Sequence, residues 1–181
     1  MTFDEILMRV REIINEETDT RYTDVELKAY IELAQYMLMC LLPSEEILRQ
    51  FSNVTVFSDD NIYPFDFFAP LGASQAGGLI ERKMPAELSY HEVWNKEPFW
   101  AMLNKLKLYN ADNAYLWYLF EPSDYNGTSE PDYPECYHEY IVRLAAALAL
   151  IRDTSIASEL GVRLLEGILQ DLGAIKNENS R

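Results

Sequence analysis

The sequence predicts a mainly helical α+β fold: a bundle of about four helices, with a small antiparallel sheet inserted between an N-terminal and a C-terminal helix pair. Three observations predict it. Apolar residues recur at helical spacing near both ends of the chain. Between about residues 50 and 125 the period shortens towards two, as in strands. Helical runs are preceded by Thr-x-x-Glu or Asp-x-x-Glu, the pattern that satisfies orphan amides at a helix start. The helical core is therefore expected at residues 2–43 and 132–175 and the β-rich insertion at about 50–125, all within one domain, 1–181.

Thr2 to Glu5 forms the first capping box, and Phe3, Ile6, Leu7, Val10, Ile13 and Ile14 follow on one helical face. After an acidic stretch at Glu16–Asp19, Thr23 to Glu26 repeats the box. Leu27, Tyr30, Ile31, Ala34, Leu38, Leu41 and Leu42 then make a second stripe, stopped near Pro43. Two amphipathic helices joined by a short loop read as an antiparallel hairpin. Val54–Phe57 suits a strand, Ser58–Asn61 a turn, and Ile62–Phe65 an extended path with Pro64 at its end. Gly72 to Gly78, with three glycines, reads as a mobile loop. Leu79–Met84, Leu106–Tyr109 and Tyr115–Phe120 read as strands, the last a central one, and Glu87–Trp94 fits either element.

Residues 121–133 carry Pro122, Asn126-Gly127 and Pro131, and read as loop. Asp132 to Glu135, with Pro134 in the first turn, starts the third helix, marked by Tyr137, Tyr140, Ile141, Leu144, Ala145, Leu148 and Ile151. Ala145-Ala146-Ala147 leaves that helix apolar on several sides, so neighbours should bury more than one face. Ser155 can cap the last helix, lined by Ile156, Leu160, Leu164, Leu165, Ile168, Leu169 and Leu172, with a polar tail from Lys176 expected to fray.

The formal charge of −15 argues against a grip on nucleic acid or on an anionic membrane, both of which need basic patches. Cys40 and Cys136 are far apart and are expected as buried free thiols. The opening residues lack the apolar core of a signal peptide, and no run reaches transmembrane length. His91 and His138 are each followed by Glu, but neither has a second His four residues on. No metal site is expected, and the histidines are expected at a surface or interface. Phosphate-binding glycine loops and the Gly-x-Ser-x-Gly elbow are absent. Asp59-Asp60-Asn61 lacks the spacing of a calcium loop, with Pro70 where the last ligand would stand. No catalytic residue and no cofactor are expected.

Aromatics supply 13 % of the chain. Phe67 and Phe68 stand in a loop-like context beside Pro70, and Phe99 and Trp100 follow Pro98. These four are the candidate interface residues, as exposed aromatic anchors. Several local pieces, in order, resemble the adaptor (head-to-tail connector) proteins that extend the portal ring of tailed phages. They are Arg21-Tyr22-Thr23-Asp24-Val25-Glu26-Leu27, Asn61-Ile62-Tyr63-Pro64, Leu106-Lys107-Leu108-Tyr109, Tyr118-Leu119-Phe120-Glu121-Pro122, and Asp132-Tyr133-Pro134 before an Ala-rich helix. The resemblance runs from Thr2 to Ile175. It implies a virion structural protein at the neck of the particle, made in the host cytoplasm. It also implies a homo-oligomeric ring of about twelve copies, with a portal protein and a tail or nozzle protein as partners, and DNA passing through the ring unbound. Alternatives are another head-closure or tail-completion protein, or an acidic inhibitor that mimics DNA.

Overall fold

A computed structural model of the chain describes residues 1–15, 21–42, 53–57, 66–75, 78–83, 98–102, 106–110, 114–152 and 156–178. The chain forms two compact units: Met1–Gln50 with Pro122–Arg181, and Phe51–Glu121.

In the first unit, helix α1 is Phe3–Ile13 and α2 is Asp24–Leu41. Both begin at the expected capping boxes. Thr2 Oγ1 accepts from Glu5 N and Glu5 Oε2 from Thr2 N; Thr23 and Glu26 repeat the exchange. Four orphan donors are thereby satisfied by residues close in sequence. α1 ends on Asn15 at φ 55°, a left-handed position that asparagine tolerates. Arg11 joins the two helices, donating to Asp24 Oδ1 at 2.5 Å and to the Tyr22 carbonyl at 3.2 Å. A single 3₁₀ turn, Glu135–Tyr137, leads into α3, His138–Ile151, and α4 runs Ile156–Glu178. α3 is the hub: it packs on α1, α2 and α4, and α1 contacts it more extensively than it contacts α2. Ala145, Ala146 and Ala147 are all fully buried, as the three-sided apolar run requires.

The third helix start differs from its expectation. Pro134 occupies the N-cap without a side-chain bond, and the Asp132 carboxylate instead accepts from Ser123 N at 2.9 Å. The helical tail also extends further, to Glu178. Both cysteines are free, but exposed rather than buried. Cys40 lies on the outward side of α2 and Cys136 in the exposed 3₁₀ turn. His138 is buried rather than at the surface, on the same side of α3 as the buried Ile141 and Val142, while Glu139 of the same turn is exposed.

The second unit is a six-stranded sheet in the order β1-β6-β2-β3-β4-β5. The strands are β1 Asn53–Phe57, β2 Phe67–Gln75, β3 Gly78–Arg82, β4 Phe99–Met102, β5 Leu106–Tyr109 and β6 Ala114–Phe120. Four pairings are antiparallel as expected, and β6 lies inside the sheet. The β3–β4 pairing is parallel, which the long connection 83–98 permits. Gly72–Gln75 is strand and not loop. Gly72 lies opposite Trp117, whose ring is 3.8 Å from where a Cβ would stand. Pro70 fits this interior strand because register shifts flank it, removing the need for a ladder amide. The expectations for Ser58–Phe65, Glu87–Trp94 and His91 lie outside the described residues.

One pH effect follows from the α2–α3 junction. Arg152, just past α3, donates to Glu26, and the Thr23 amide and hydroxyl donate to the same carboxylate. These bonds, Arg152 first, hold the Glu26 carboxyl down at about 2 against an ordinary 4.5. A lowered folded-state value gives stability that is present above pH 4.5 and lost as pH falls towards 2. Glu26→Gln is expected to lose less Tm than wild type between pH 5 and pH 2. Parallel acid profiles by circular dichroism would refute the linkage.

Candidate interaction site

The four candidate aromatics divide. Phe68, in β2, is 48 % exposed, and Phe67 is half-buried with its ring 5.7 Å from that of Tyr118. Phe99 and Trp100, expected exposed, are only 2 % and 3 % accessible. The register sets Phe99 opposite Tyr109, and the two rings stack at 4.6 Å and 11°. Lys83 and Arg82 lie over the Phe99 and Trp100 rings at 5.8 and 5.2 Å. Continuous apolar Phe-Trp-Ala-Met is what a strand covered on both faces looks like. In the lone chain these two rings are interior packing, not an exposed anchor.

The sheet shows other apolar surface. Along β6, Ala114, Leu116, Tyr118 and Phe120 are buried, while Tyr115 is exposed and Trp117 and Leu119 are half-buried. Ser74 pairs with Tyr115 on one side and Leu79 on the other, which places the three in one cross-strand row. Leu79 is 86 % exposed. Tyr118 points to the other face and donates to Asp66 at 3.0 Å; burial, then Asp66, pushes its phenol up to about 12. The outward row carries no carboxylate, histidine or amine; Leu79 and the Tyr115 ring offer apolar and aromatic contact, and the Tyr115 hydroxyl a hydrogen bond. Alternation along Tyr115–Phe120 signals which side chains of β6 face outward, and Leu79 stands at the start of a strand as its position predicts.

In the helical unit the loop 121–134 is bonded closely onto α1 and α2. The Phe3 and Asp4 amides donate to the Ser129 and Gly127 carbonyls, both at 2.9 Å. Tyr125 O–H donates to Asp4 Oδ1 at 2.6 Å, its amide donates to Glu32, and Lys28 lies over its ring at 4.7 Å. Burial, then Asp4, raises the Tyr125 phenol well above its usual range. Gln35 Nε2 donates to the Ser123 carbonyl, and Tyr133 O–H to the Gln35 carbonyl at 2.7 Å. His138 Nε2 lies 2.7 Å from the Tyr133 carbonyl and so donates. That leaves Nδ1 to accept from the Met1 amine at 2.9 Å. Most of these groups have a structural partner that accounts for them; the buried Gln35 Oε1 has no hydrogen-bond partner among the described residues. Among the described residues no three His, Cys, Asp or Glu side chains are grouped to hold a metal, and no helix is long and apolar enough to cross a membrane.

The fold is α+β, and its sheet carries an exposed apolar row at Leu79 and Tyr115. The chain matches the SU10 adaptor protein family over residues 1–180, and belongs to it. This is a family of phage head–tail adaptors, structural proteins rather than enzymes, and membership makes the chain a component of the virion. No curated protein sequence matches it.

Proposed function

We propose that this protein forms a ring of about twelve copies docked on the portal vertex, linking head to tail and forming part of the DNA conduit at the neck. The ring is made from subunits assembled in the host cytoplasm, with the portal protein on one side and a tail or nozzle protein on the other. The family match across residues 1–180 carries the reading. Two physical features support it. The exposed row of Leu79 and Tyr115, with Phe68 in β2, leaves apolar surface in water that a neighbouring virion protein would cover. A charge of −15 per copy, about −180 for twelve, suits a conduit past which DNA slides without sticking.

The test is to mix the purified chain with portal rings of the same particle and measure the product mass by light scattering. A gain of one whole ring of subunits is expected. No gain would overturn portal docking and favour a head-closure or tail-completion part elsewhere on the particle.

A further inference from the structure

The loop 121–134 holds the chain's one Asn-Gly pair, Asn126-Gly127. The backbone turns there: Ser129 N donates to the Asn126 carbonyl at 2.7 Å, and Ser129 Oγ donates to the same oxygen at 2.8 Å. That turn seats α1. The Asp4 amide donates to the Gly127 carbonyl and the Phe3 amide to the Ser129 carbonyl, so two orphan donors of the helix start end on this loop. Glycine is required at position 127, because a Cβ there would stand 2.8 Å from both carboxylate oxygens of Asp4. Asn126 is exposed. Neither its side-chain amide nor the Gly127 N–H has a hydrogen-bond partner among the described residues.

We propose that Asn126 is a site of spontaneous covalent modification, converted by attack of the Gly127 nitrogen into aspartate and isoaspartate. Asparagine is among the thermally labile residues, and a following glycine leaves the attacking nitrogen unshielded by a side chain. The Gly127 nitrogen gives its proton to solvent hydroxide and bonds to Asn126 Cγ. The bond from Cγ to the side-chain nitrogen breaks, ammonia leaves, and a cyclic imide remains. Water then opens that ring at one of its two carbonyls, with no oxidant or reductant involved. Opening at Cγ gives aspartate on an unchanged main chain. Opening at the former backbone carbonyl gives isoaspartate, in which the main chain runs through Cβ and Cγ. The oxygen that closed the turn then belongs to a free carboxylate off the main chain. The Gly127 and Ser129 carbonyls are thereby displaced from the α1 amides they accept from. A virion component is not resynthesised once its particle has left the host, so an uncatalysed change of this kind accumulates with age.

Incubation of the full chain in mildly alkaline buffer at physiological temperature, followed by peptide mass mapping, tests this. The peptide carrying Asn126 should gain the mass difference between an amide and an acid, and resolve into an aspartate and an isoaspartate form. Asn126→Gln, at an exposed position, should gain no mass there, because its longer side chain closes the ring far more slowly. The isoaspartate fraction, separated from the aged sample, should melt a few degrees below fresh protein. Asn126→Asp, which adds the charge but keeps the main chain, should melt with fresh protein. A native chain that stays unmodified while urea-unfolded chain gains the mass overturns the site, since the fold would then hold the Gly127 nitrogen away from Cγ. Conversion to aspartate alone overturns the attack by Gly127. An isoaspartate fraction that melts like fresh protein overturns the coupling to α1.

Discussion

Phe3→Ala is expected to destabilise the helical unit by about 3–5 kcal/mol, a large part of the ~5–15 kcal/mol that holds a typical domain folded. Phe3 is the first residue of α1 and is fully buried. Its ring packs 5.2 Å from Tyr125, and its amide donates to the Ser129 carbonyl. Truncation leaves a cavity beneath the loop 121–134, whose other ties to α1 run through the neighbouring Asp4. Met8→Ala, on the exposed side of the same helix, should stay within about 0.5 kcal/mol. Urea unfolding followed at 222 nm checks both. A loss below about 1 kcal/mol at Phe3 would mean that the loop collapses onto the vacated space and that the ring is not what seats it.

What was legible in the sequence was what is decided locally. A capping box needs only four consecutive residues, so Thr2 and Thr23 marked both helix starts. Helical spacing of apolar residues located α3 and α4 for the same reason, and the triple alanine announced a helix enclosed by neighbours. Pairing across the sheet was not legible. Gly72–Gln75 is strand because Trp117 covers Gly72 and Ser74 pairs with both Tyr115 and Leu79, residues distant in sequence. Read alone, the segment shows only glycines and small side chains, which is also how a loop reads. The parallel β3–β4 pairing depends likewise on where a long connection returns.

The four candidate aromatics differ in exposure, and only part of that difference is legible in the sequence. Phe68 is exposed as an anchor should be, but Phe99 and Trp100 are covered by Tyr109 and two cations, and only the strand pairing reveals that. Asp132 shows how a local signal can be outbid: a capping residue by pattern, it accepts instead from Ser123 nine residues earlier.

Two glycines of α4 should respond to the same substitution with opposite signs. A Cβ on Gly161 would stand 2.9 Å from the Ala147 carbonyl oxygen, the Ile151 amide nitrogen and Ile151 Cγ1. Two of those three are backbone atoms of α3 and cannot rotate away, so Gly161→Ala must push the helices apart. The expected loss is about 1–3 kcal/mol, even though alanine gains roughly 1 kcal/mol in helix propensity. A Cβ on Gly173 meets nothing within 4 Å, so Gly173→Ala keeps the propensity gain and should stabilise by about 0.4–1 kcal/mol. Thermal melts would show Gly161→Ala several degrees below wild type and Gly173→Ala above it. If both rose together, α4 would be free to shift along α3. The close approach would then not hold the two helices in register.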